Sequence, residues 1–73
     1  MKCYIVMFKE SATKAGIDDY LNRVQESGGK IKYDYSDLMK AVAVWLPDDV
    51  VQSFADNLMV DHMEPDGVAT TQG

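Results

Sequence analysis

The residues with chemistry to offer crowd one stretch, Asp61-His62-Met63-Glu64-Pro65-Asp66. A carboxylate, an imidazole and a thioether in succession make a metal-ligand vocabulary. Extended backbone divides it, because alternate side chains point to opposite faces: Asp61 and Met63 share one side, His62 and Glu64 the other. Two ligands on a face do not close a site, so no metal is expected. Glu64 and Asp66, two apart, project the same way and set paired negative charge side by side, an arrangement suited to the unpaired N–H groups of helix N-termini. The other acidic pair, Asp48-Asp49, follows Pro47 and reads as a helix start. Cys3 lies in an apolar run, where a thiol acts as a small buried hydrophobe. As the single cysteine of the chain it excludes an internal disulfide and fits a reducing compartment. No glycine-rich phosphate loop, C-x-x-C, His-Glu-x-x-His or serine elbow occurs. The chain is therefore read as a non-enzyme with no catalytic residue and no cofactor.

Its 73 residues make one domain close to the lower size limit for an unstapled core. Seven basic against twelve acidic residues leave a net charge of −5, which argues against a nucleic-acid surface. No apolar stretch approaches a membrane span, and MKCYIVMF lacks the features of a signal peptide. A soluble, cytoplasmic protein without membrane or nucleic-acid partners is expected.

The elements that must position these residues follow from hydrophobic period. Cys3 to Lys9 is a first strand with both faces occupied. Thr13 caps a helix whose Ile17, Tyr20, Leu21 and Val24 form one stripe, and Gly28-Gly29 closes it. Lys30 to Tyr35 alternates, placing Ile31, Tyr33 and Tyr35 on one face and Lys32 and Asp34 on the other. Ser36-Asp37 forms a turn before a third strand, Leu38 to Leu46. Its period separates Lys40, Val42, Val44 and Leu46 from Met39, Ala41, Ala43 and Trp45. A second helix opens at Pro47, carries Val50, Val51, Phe54 and Leu58 as its stripe and ends near Asn57. Val60 to Glu64 is a last strand, confined to an edge by Pro65.

This order, βαββαβ, predicts an α+β ferredoxin-like sandwich: a four-stranded antiparallel sheet with two helices on one face. The other face carries Ala41, Ala43 and Trp45, small residues that let a partner come close beside a tryptophan that can anchor it. Beyond a hinge at Gly67, Val68, Thr70 and Thr71 favour extended backbone, so the end of the chain is competent to add as a strand to another protein.

Taken together, YIVMFK near the start, the helix closed by Gly28-Gly29, the alternating second strand, the small-residue third strand and the close MEPDGVATTQ resemble one family over essentially the whole chain. It is that of the propeptides of subtilisin-like serine proteases, and more specifically the free-standing intracellular proteinase inhibitors of fungi. The resemblance implies an inhibitor domain over residues 1–66 and an extended inhibitory tail over 67–73. It implies that the open sheet face packs on two parallel helices of the protease, whose N-termini Glu64 and Asp66 cap. It further implies that Val68, Ala69, Thr70, Thr71 and Gln72 lie product-like in the substrate cleft, with Gln72 in the primary pocket and Ala69 in the fourth. Gly73 departs from the family pattern by adding a bond beyond Gln72, so that either the protease trims it slowly or the tail is held in the alternative register with Gly73 in the primary pocket, and Pro65 departs by replacing the polar residue between the two acids. Met1 at the start and an end just past the tail read as a free-standing protein, a monomer when free. Assistance to protease folding is a second implied role. A different class stays open: a dimeric ferredoxin-like module for small molecules, or a cofactor-free enzyme, in which Trp45 and the alanines form a subunit contact and Tyr33, Tyr35 and His62 line a pocket.

Overall fold

In a computed structural model, which describes residues 1–66, the apolar run near the start forms β1 (Lys2–Phe8), the centre of the architecture. It pairs antiparallel with β3 (Ala41–Leu46) on one side and β4 (Val60–Pro65) on the other, and β3 pairs antiparallel with β2 (Lys30–Asp34). The four-stranded sheet thus has the order β2-β3-β1-β4, with β2 and β4 as edges. Pro65 sits at the end of an edge strand, where a missing N–H costs the ladder nothing.

Helix α1 (Lys14–Glu26) starts at Thr13, whose Oγ1 accepts from the Gly16 N–H at 3.0 Å. It ends where Gly28 takes φ 97°, a conformation open to glycine, while the Gly29 N–H donates to the Val24 carbonyl at 2.9 Å. Gly29 is required for a second reason: a Cβ there would stand 2.3 Å from the Trp45 carbonyl oxygen, so only glycine lets the start of β2 lie against β3. Ile17, Tyr20, Leu21 and Val24 of α1 are buried with Val6, Phe8, Val42, Val44, Leu46 and Phe54 in one core. Tyr20 is its pivot. Its ring meets Phe8 edge-on at 5.1 Å and Phe54 at 5.2 Å, and its hydroxyl donates to the Phe54 carbonyl at 3.1 Å. Burial holds that phenol far above its ordinary ionisation range.

Several elements differ from the sequence expectation. The segment expected to begin β3 at Leu38 instead forms a one-turn helix, α2 (Ser36–Met39), with Leu38 and Met39 exposed. Lys40 then adopts φ 50°; its ammonium donates to the carbonyls of Glu10 and Ala12, which ties that left-handed residue to the loop before α1. The second long helix is shorter than its pattern. A 3-10 turn (Asp48–Val50) leads into α3 (Val51–Ala55), and Leu58 is 88 % exposed rather than part of the stripe. Among the described residues no helix is long and apolar enough to cross a membrane.

Both edge strands carry a bulge. In β2 the register steps from Ile31 opposite Val44 to Tyr33 opposite Ala43, so Lys32 is the extra residue. In β4 it steps from Val60 opposite Phe8 to His62 opposite Met7, so Asp61 is extra. The β2 bulge corrects the expected alternation. Ile31 packs on the helix side, whereas Tyr33 and the following Tyr35, whose N–H donates to the Ala41 carbonyl, fall on the other side of the sheet.

Candidate functional site

The helices pack against Val6, Val42, Val44 and Leu46, which leaves the opposite sheet face without a helix. Register fixes what it presents. Trp45 stands opposite Cys3, Ala43 opposite Ile5 and Ala41 opposite Met7; on the far side of β1, Glu64 is opposite Ile5 and His62 opposite Met7. The predicted contact residues Ala41, Ala43 and Trp45 therefore share this face, but they are not equally accessible. Both alanines are buried, a floor flanked by larger neighbours, and the exposed apolar surface belongs to Trp45 at 38 %, Tyr33 at 52 %, Tyr35 at 41 % and Met7 at 40 %. Tyr33 and Tyr35 stack, with ring centres 5.7 Å apart.

Sequence reasoning missed the two tyrosines as members of this face because a bulge leaves no mark on a period-two pattern. The usable signal was compositional: exposed aromatics on an edge strand beside a column of alanines are hard to place in a core this small.

The acidic pair lies at the end of β4. Glu64 Oε2 accepts from His62 Nε2 at 2.7 Å, an exposed pair on the open face. Asp66 continues the ladder by donating its N–H to the Cys3 carbonyl at 2.9 Å. Its Oδ2 accepts from the Lys32 ammonium at 3.0 Å and from the Cys3 thiol at 3.4 Å. Burial, and then the Asp66 carboxylate, push the Cys3 thiol up from its ordinary value. Such a thiol is a poor nucleophile. The bond to Asp66 raises the Lys32 ammonium, which stays protonated through the neutral range.

Among the described residues no three histidine, cysteine or carboxylate side chains gather as metal ligands. Phenols, an indole, an ammonium and carboxylates around an alanine floor give this face the chemistry for stacking and apolar contact in the middle and for directed charge at one corner. The predicted tail residues Val68, Ala69, Thr70, Thr71 and Gln72, with Gly67 and Gly73, lie outside the described residues.

No family model matches the chain. The chain is 34 % identical over 65 residues to a Schizosaccharomyces pombe protein named Uncharacterized protein C338.12, a match that covers 89 % of this chain and 84 % of the yeast one.

Proposed function

The chain belongs to one family with that fission-yeast protein; from the sheet face and its acidic corner we propose that it inhibits subtilisin-like serine proteases. The observation that carries the reading is the coincidence of a helix-free aromatic face with the acidic corner at which β4 ends. The strand order β2-β3-β1-β4 with helices on the other face supports the ferredoxin-like arrangement of subtilisin propeptides. Trp45, Tyr33 and Tyr35 supply the anchoring contacts on the protease surface, and Ala41 and Ala43 keep the floor between them low. Glu64 and Asp66 face the N-termini of the protease helices on which that face docks.

Inhibition works by occlusion. Residues Val68 to Gln72 enter the substrate cleft as an added strand, and the protease's own triad finds a product-like segment there. A free product peptide leaves quickly; one tethered to a docked domain is held at high effective concentration. The same complementarity stabilises folding intermediates of the protease that already carry the docking surface. The chain acts as a cytoplasmic monomer, a setting that suits its single thiol.

The test is inhibition of subtilisin by the full chain and by a version ending at Gly67. Loss of inhibition with the tail supports the reading. The exposed aromatic cluster also favours a second reading, self-association through the open face, and a stable dimer unaffected by tail removal, with no inhibition, would replace the first.

A further inference from the structure

Cys3 stands on the face that no helix covers, yet it is only 8 % exposed. Trp45 stands opposite it on β3, and two charged side chains from opposite edges of the sheet meet beside its thiol. Strands β2 and β4 are separated by β3 and β1, a span of roughly 14 Å at ordinary strand spacing. From the β4 side, Asp66 bends over Cys3 through its backbone N–H and its carboxylate. From the β2 side, Lys32 reaches back across the sheet. Its Nζ lies 3.0 Å from Asp66 Oδ2, 5.6 Å from the Tyr33 ring centre and 5.9 Å from that of Trp45. The ammonium is shared between a carboxylate and two aromatic rings, and the two charged side chains are partly withdrawn from solvent at 36 % and 24 % exposure. The bulge makes this possible: in unbroken alternation Lys32 and Tyr33 point to opposite faces, whereas here Lys32 reaches over the same face as Tyr33.

We propose that Lys32 is the positioning residue of the acidic corner: it straps the Asp66 carboxylate across the open face, over Cys3 and beside Trp45, in the place from which it engages a partner. The functional half of this inference rests on the inhibitor reading. A carboxylate at the end of an edge strand otherwise rotates, and ordering it opposes binding; a carboxylate already held by a lysine and a thiol brings less of that cost into the complex. Lys32 also offsets one of the charges that a chain with net charge −5 would otherwise crowd together at this corner.

The experiment compares Lys32→Met, which keeps the apolar stem, with Lys32→Arg, which keeps the charge, in two assays. The first is the rate at which Cys3 of the free protein reacts with iodoacetamide. Lys32→Met is expected to react about tenfold faster than wild type and Lys32→Arg within about twofold of it, as local opening governs access to a covered thiol. Loss of the Lys32 charge by itself disfavours the thiolate, so acceleration reports lost cover. An unchanged rate in Lys32→Met overturns the strap. The second assay is inhibition of subtilisin, where Lys32→Met is expected to raise the inhibition constant about tenfold and Lys32→Arg to stay near wild type. Equal inhibition by Lys32→Met and wild type, with the strap opened, overturns the positioning role. A wild-type chain that protects Cys3 as described but does not inhibit upholds the strap and overturns the inhibitor reading instead.

Discussion

Tyr20 joins three elements, since β1, α1 and α3 meet on its ring and its hydroxyl donates to the Phe54 carbonyl. Tyr20→Phe keeps the ring contacts but removes the hydroxyl's bond to that carbonyl, which still accepts from the Asn57 N–H at 3.4 Å, so it should cost about 1 kcal/mol by urea denaturation. The same residue gives a pH signature. Its phenol has a raised folded value against an ordinary 10.0, so the unfolded chain releases this proton first and stability falls as pH rises beyond about 10. In Tyr20→Phe that part of the alkaline slope should vanish, which denaturation midpoints at neutral and alkaline pH would show; an identical slope in both proteins contradicts the assignment. At Gly29 the constraint is steric. An alanine Cβ would meet the Trp45 carbonyl at 2.3 Å and the Val24 side chain at 2.9 Å, so Gly29→Ala should destabilise by about 2 kcal/mol.

At the scale of elements, α1 depends on its start. Its first turn holds no acidic residue, and Thr13 supplies the cap bond. Thr13→Ala should therefore cost about 1 kcal/mol and Thr13→Asp much less, measured by thermal unfolding. The turn after α3 should be insensitive: Leu58→Lys at an 88 % exposed position should stay within about 0.5 kcal/mol of wild type. This contrast marks how far the sequence was legible. The order of strands and long helices, the buried stripe of α1 and the split of β3 into a core face and an alanine–tryptophan face all follow from residue periods. What period could not reveal has local causes. A bulge at Lys32 adds one residue without disturbing composition, and it alone moves Tyr33 and Tyr35 to the open face. Leu38 and Met39 look like strand residues but find no core to enter, and the chain turns into α2 instead. Lys40 takes a left-handed conformation that sequence assigns to glycine, held by side-chain bonds to two carbonyls 28 and 30 residues earlier. The acidic corner was readable as a pair of acids; its lysine was not, because that contact joins opposite edges of the sheet.

For the whole molecule, the division of the sheet into a helix-covered face and an aromatic one is the functional statement. Trp45→Ala removes the exposed aromatic of an inner strand on the open face, so it should weaken protease binding by tenfold or more while leaving the helix-side core intact. Circular dichroism and an inhibition titration on the same sample separate the two effects. The most direct test of the account remains a titration of subtilisin activity on a small chromogenic peptide with the full chain and with a version ending at Gly67, followed from early to late times. The full chain should inhibit strongly and the shortened one should not, with both equally folded. Absence of inhibition by the folded full chain, or equal inhibition by the shortened one, would contradict it.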